Sequence, residues 1–319
     1  MTLTRETDFI NQAMANPGQW WDPQSLAGLS GLKAPESLLG NRSVMLRADI
    51  STIWCKWFIE SLCDPDNYVS NIKGFAYIYH DVLPRIRFLF PRKSEDDIKE
   101  FAKTVSRLIQ KEVYRRREIR RTSITREIRE YLVDMCFGEV RCWICGRKFT
   151  DEQIMRFIEG HQHAQKLPYY VDIFKPIGLV ARDMKIEVDH VVPVKHGGGV
   201  GDNLRLSCGW CNSHKSGFNF LYEVGETYNI CIIDKKKTIK LPNYFWTIRT
   251  LATRPRCEFL GGCDRTTSND ELTVYCLHEK GVVNPANIAV TCMEHDPIRK
   301  IRHMSRKKFL DSIQINSRH

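Results

Sequence analysis

From about Leu46 to Phe90 apolar and aromatic positions crowd the chain, Ile53, Trp54, Trp57, Phe58, Tyr77 and Tyr79 among them, a density that predicts buried helices. Ser94 followed by Glu95, Asp96 and Asp97 predicts a helix start, because acidic groups are favoured at the positive end of a helix. That helical pattern continues to about Met135. Ahead of it, residues 1–40 are rich in Pro, Gly and Ser and predict an irregular segment, with the pair Trp20-Trp21 packing onto something rather than lying free. The period shortens to two at Ile186-Glu187-Val188-Asp189, the pattern of a half-buried strand. Across 217–250, Tyr228, Ile230, Ile232 and Ile239 predict further strands.

A chain of 319 residues with 42% hydrophobic content can bury a real core without disulfide staples. The patterns divide it into a mainly helical region over 1–136, a cysteine-bounded module over 137–250, and a second cysteine-rich unit with a basic tail over 251–319. The start of the chain lacks the apolar core of a signal peptide, and no run is long enough for a membrane span. These features predict an intracellular, cytoplasmic protein, in which the twelve cysteines are metal ligands or buried hydrophobes rather than disulfides.

Lys and Arg number 48 against 38 acids, a formal net charge of +10, which favours a polyanionic partner. Within 111–130, Arg115, Arg116, Arg117, Arg120 and Arg121 fall on one predicted helix with few acids. They form either a solvated face or a phosphate-contacting surface.

Cys142-Trp-Ile-Cys145 and Cys208-Gly-Trp-Cys211 are two CxxC knuckles, and four thiolates at tetrahedral positions suit zinc. The 62 residues between Cys145 and Cys208 exceed what a simple ribbon needs, so an insertion with a helix near Asp151–Glu159 is expected before the strand at Met184.

Residues 186–216, IEVDHVVPVKHGGGVGDNLRLSCGWCNSHKS, lie between and across the knuckles. They resemble the HNH (ββα-metal) endonucleases. In that family Asp-His ends a strand, a Pro- and Gly-rich loop follows, Asn-Leu opens the next strand, and Cys-x-x-Cys-Asn-x-x-Lys begins a helix. A neutral imidazole can take a proton from water near neutral pH, which makes His190 the candidate general base. Asp189 is a hard oxygen ligand for magnesium or manganese. The resemblance implies that Asn203 holds the loop and orients the base, and that Asn212 is the second ligand of the catalytic ion, with His214 as the alternative. Lys215 is expected to meet a phosphate. Gly197, Gly198 and Gly199 let the chain reverse. By the same resemblance, a base-activated water attacks in line and leaves a 5′-phosphate and a 3′-hydroxyl.

Residues 257–296 repeat the grammar. Asn287 stands five residues before Cys292, as Asn203 does before Cys208, and Cys257, Cys263, Cys292 and His295 make a second zinc set, with Cys276 as the alternative to Cys263. Aligning Tyr275-Cys276-Leu277-His278 with Val188-Asp189-His190 puts Leu277 at the metal-binding carboxylate, so this copy is expected to be degenerate.

The fold expected is therefore α+β: a helical N-terminal region, a central zinc-bound HNH nuclease module and a C-terminal ββα-like zinc module. The expected function is metal-dependent hydrolysis of double-stranded DNA in restriction, phage defence or homing, with about two structural zinc ions per chain and a homodimer or a partner ATPase as candidate assemblies. The rival reading is a catalytically silent zinc-dependent nucleic-acid-binding protein, against which the joint retention of Asp189, His190, Asn203 and Asn212 argues.

Overall fold

The computed structural model describes residues 3–14, 22–40, 42–69, 74–117, 124–160, 166–193, 203–225, 227–234 and 237–317. The chain divides into two compact units, Met1–Ser51 and Thr52–His319. The first contains α1 (Thr4–Met14), α2 (Pro23–Ser30), α3 (Glu36–Leu39) and the start of α4 (Arg42–Leu62). The irregular segment expected over 1–40 is thus largely helical. Its Pro and Ser content includes start signals: the Asp22 carboxylate accepts from the Ser25 amide at 2.7 Å, and Pro23 needs no N–H in the first turn. Trp20 and Trp21 lie outside the described residues.

The second unit opens with a helical core. In α5 (Phe75–Leu89), Ile78, Val82 and Ile86 recur every fourth residue; in α6 (Glu95–Arg117), Ile98, Ala102, Val105, Ile109 and Val113 recur every third or fourth. The two stripes face one another and are closed by Leu62 and Tyr68. Each fully buried aliphatic side chain contributes about 1.5–3 kcal/mol. Ser94 caps α6 as expected, accepting from the Asp97 amide at 3.1 Å. Trp54, Trp57 and Tyr77, expected inside, are 70%, 68% and 59% exposed. A helix buries only a stripe, and the smaller aliphatics occupy it here.

The arginine-rich stretch also differs from one continuous basic helix. α6 ends at Arg117 and α7 (Arg126–Asp134) starts afresh behind Thr125, whose hydroxyl accepts from the Ile128 amide. Arg120 and Arg121 lie outside the described residues, as does the side chain of Arg115. Arg116 is turned inward onto Asp66 at 2.7 Å, Glu112 at 2.9 Å and Glu60 at 3.3 Å, and Arg117 donates to the Val69 carbonyl at 3.1 Å. These two guanidiniums hold the helical core together. Arg116→Ala is accordingly expected to cost about 1–3 kcal/mol of stability, since three carboxylates lose their shared cation. A thermal melt of the variant against the wild type checks this.

The helix expected near Asp151–Glu159 is present as α8 (Asp151–Glu159), set by a reciprocal cap between Thr150 and Gln153. Arg129 closes its other end by donating to the Phe157 and Ile158 carbonyls at 3.1 Å each. Beyond it the chain builds small antiparallel sheets. β1 (Tyr170–Asp172) pairs with β8 (His303–Ser305), β2 (Ile186–His190) with β3 (Leu204–Cys208), and β6 (Thr273–Cys276) with β7 (Ile288–Thr291). A three-stranded sheet runs in the order β5 (Lys237–Leu241), β4 (Thr227–Asp234), β9 (Ile313–Ser317).

Four more helices lie among the described residues of the unit. α9 (Gly209–Lys215) follows β3, and α10 (Tyr244–Thr253) replaces the last of the strands expected over 217–250. Its start is fixed by the Asn243 side chain accepting from the Phe245 amide, and it buries Phe245, Trp246, Ile248 and Leu251. α11 (Arg299–Arg302) and α12 (Arg306–Ser312) sit in the segment read as a basic tail. That segment folds back instead: Arg302 and Phe309 are fully buried, β8 pairs with a strand more than a hundred residues earlier (Val171 with Met304), and β9 completes the sheet begun by β4 (Asn229 with Ile315). No helix among the described residues is long and apolar enough to cross a membrane.

Candidate active site

The central site is assembled on a cysteine cluster. Cys142, Cys145, Cys208 and Cys211 are all fully buried, and their sulfurs lie within 4.8 Å of one another. Burial pushes the Cys208 and Cys211 thiols up, a rise that a cation held among the four sulfurs would offset. An all-sulfur, tetrahedral-capable set fits zinc. Two glycines allow the knuckles to close. Gly146 has φ +75°, and a Cβ on it would fall 1.9 Å from the Asp270 carbonyl oxygen; one on Gly209 would fall 2.0 Å from that of Arg182.

β2 and β3 rise from this cluster with Ile186 opposite Cys208 and His190 opposite Leu204. The period of two places Glu187 and Asp189 on one face of β2, and α9 lies across that face. Asn212 Nδ2 donates to Glu187 Oε2 at 2.6 Å, and three residues on Lys215 Nζ donates to Asp189 Oδ1 at 2.8 Å and to the His190 carbonyl. Arg182 grips Glu187 from the other side at 2.7 and 3.0 Å. Asp189 is therefore buried rather than on the solvent side of a half-buried strand; burial raises its carboxyl, and Lys215 and the Trp143 indole N–H, 3.0 Å from Oδ2, oppose that rise.

His190 sits half-buried where β2 ends, and burial lowers its imidazole despite the neighbouring Asp189 charge. Asn203 forms a two-way clasp with Val192, accepting its N–H at 2.8 Å and donating to its carbonyl at 3.0 Å. The clasp joins the two ends of the loop. Gly197, Gly198 and Gly199 lie outside the described residues. His214, the alternative metal ligand, packs between the Trp210 and Tyr244 rings at centroid distances of 5.0 and 4.8 Å, away from Asp189's face of β2. Lys215, expected to meet a phosphate, is buried against Asp189. Glu187, Arg182 and Trp143 were not anticipated at the site, although Glu187 shares the Asp189 face by strand period alone.

Residues 177–218 match the family model described as HNH endonuclease. The middle of the chain is an HNH endonuclease domain. No curated protein and no solved structure matches the chain.

The residues of the HNH site suit a hard divalent cation. The Asp189 carboxylate and the Asn212 amide oxygen lie on facing elements, and each Asp189 oxygen carries a lone pair beyond its single N–H partner.

The C-terminal unit repeats the architecture. Cys257, Cys263, Cys292 and His295 converge within 4.8 Å, with Cys263 rather than Cys276 in the set, and this Cys3His cluster likewise suits zinc. The backbone bonds correspond. Cys142 N–H donates to Arg147 and Cys257 N–H to Arg265, each at 2.9 Å, while Trp143 N–H donates to Leu206 and Glu258 N–H to Val290, at 3.0 and 2.9 Å. Asn287 makes a clasp like that of Asn203, but on His278, at 2.9 and 3.1 Å.

That clasp corrects the alignment expected from sequence. Leu204 and Ile288 are equivalent, so His190, opposite Leu204, corresponds to Cys276, opposite Ile288. Asp189 then corresponds to Tyr275, and His278 occupies the position of Val192. The copy lacks both the carboxylate and the imidazole, and the reason is Tyr275 and Cys276 rather than Leu277.

Proposed function

We propose that this protein is an endonuclease of the restriction, phage-defence or homing type that hydrolyses phosphodiester bonds of double-stranded DNA at the 186–216 site. The observation that carries the reading is the convergence, on one hairpin and helix built on a buried four-cysteine cluster, of a buried carboxylate, a half-buried imidazole and an amide side chain. His190 removes the proton from the attacking water. Asn203 fixes the loop that begins beside that base. Asp189 and Asn212 would hold magnesium or manganese, which when bound supplies a Lewis acid for the charge developing on the leaving oxygen. Lys215 opposes the rise that burial imposes on the Asp189 carboxyl and anchors its Oδ1. The functional division follows 137–250 as the catalytic module, with 1–136 and 251–319 as the candidate DNA- or partner-binding parts.

Incubating the full chain with plasmid in magnesium, manganese or EDTA tests the proposal. Metal-dependent nicking or linearisation is expected; metal-dependent DNA binding without any cutting would favour a silent binder. The pH profile follows from the imidazole. A general base works only unprotonated, and burial sets the His190 value below its ordinary 6.5. Cleavage should therefore be flat above pH 6.5 and fall on acidification below it as His190 takes up a proton, which a rate profile between about pH 5 and 8 reads directly. An acid limb centred above 6.5 would exclude His190 as the base.

A further inference from the structure

We propose that Trp143, inside the first zinc knuckle, is a positioning residue for the HNH site: its indole N–H fixes the orientation in which Asp189 meets a divalent cation. The inference rests on the nuclease reading and deepens it. Trp143 is anchored at both ends. Its backbone N–H donates to the Leu206 carbonyl on β3 at 3.0 Å, and its ring Nε1 donates to Asp189 Oδ2 at 3.0 Å. The carboxylate torsion of an aspartate is soft, so one anchored end leaves the other oxygen free to swing. Here Lys215 holds Oδ1 at 2.8 Å while its ammonium lies 6.0 Å from the centre of the Trp143 ring. Two fixed donors, one on each oxygen, leave a single carboxylate orientation.

The duplicated unit supplies an internal control. Glu258 occupies the Trp143 position there, with the same backbone bond to the facing strand, at 2.9 Å to Val290. Its side chain turns back to accept the Val290 amide at 2.7 Å. The knuckle thus folds without an indole. The copy that lacks the aspartate, with Tyr275 in its place, also lacks the tryptophan. An indole needed only to close the knuckle would have no reason to be paired with Asp189 in this way.

The test uses the full zinc-loaded chain and Mn2+ alone, with free Mn2+ followed by its paramagnetic resonance signal. Trp143→Phe keeps the ring and removes the donor; it is expected to weaken Mn2+ binding by about 10-fold or more, the usual effect of losing an outer-shell partner. Zinc content and melting temperature should match the wild type, and cutting should return at high Mn2+. Trp143→His, which restores a ring N–H, should recover part of the affinity. Unchanged Mn2+ affinity in Trp143→Phe would overturn the proposal. So would loss of zinc or of the fold in both variants, which would assign the ring to packing. A wild type that binds Mn2+ yet cuts no DNA would sink the nuclease reading and leave the Mn2+ comparison to decide Trp143. A wild type that binds no Mn2+ would remove both.

Discussion

His190→Ala is expected to slow DNA cleavage by about 10²–10⁴, the usual loss for a general base, while zinc content and DNA affinity stay close to wild type. The imidazole sits at the open end of β2, and the strand is held by its backbone pairing and by Ile186, Leu204 and Leu206, so the ring is dispensable for folding. Asp189→Ala should fail differently. It removes a carboxylate that anchors Lys215 and the proposed cation, and part of its activity should return at high magnesium or manganese. His278→Ala is the matched control and should cut at nearly the normal rate, because His278 stands where the HNH domain has Val192 and its backbone alone meets the Asn287 clasp. Single-turnover rates on the three purified variants separate these outcomes. Equal loss in the His190 and His278 variants, with both folded, would falsify the assignment of one working and one degenerate module.

Stripping zinc from the central cluster should unfold β2, β3 and α9 together. Cys208 is at once a sulfur of the cluster, the last residue of β3 and the partner of Ile186, so the knuckle and the hairpin share a residue. Zinc binding in small domains carries about 10 kcal/mol or more, comparable with the whole stability of a typical domain at about 5–15 kcal/mol. Elemental analysis of the purified chain should find about two zinc ions, and Cys208→Ala should lose one of them together with all cleavage. A native content near one would remove the C-terminal cluster from consideration; none would undo the zinc clamp altogether.

The readable parts of this chain were those fixed by short-range chemistry. Paired cysteines at CxxC spacing, the Asp189-His190 dipeptide, the Ser94 start and the helix at Asp151–Glu159 each depend on neighbours a few residues apart. The placement of the second copy depended on strand register, which spacing does not reveal. A slip of one residue would have reversed every side chain, but a slip of two keeps the same faces and the same hydrophobic pattern. Only the Asn203 and Asn287 clasps, made across the hairpin, distinguish His278 in the Val192 position from His278 in the His190 position. The inward turn of Arg116, and Lys215 on Asp189, were hidden for a related reason. A basic residue on a helix reads as exposed until the carboxylates it meets, 50 and 56 positions away for Arg116 and 26 for Lys215, are brought alongside.

The pairing of β9 with β4 sets a timetable for the making of the protein. β4 is the middle strand of its sheet, and while residues 313–317 are still unmade one of its edges has no partner. The fully buried Arg302, whose partners Asp172 and Thr273 are on β1 and β6, imposes the same delay on a second sheet. A nascent chain that has already exposed the whole 177–218 segment therefore carries Asp172 without its Arg302 partner, and once β4 has followed an open strand edge as well, until about a hundred more residues have left the ribosome at roughly 5–20 residues per second. For those seconds the HNH segment exists before two sheets of the surrounding chain are complete.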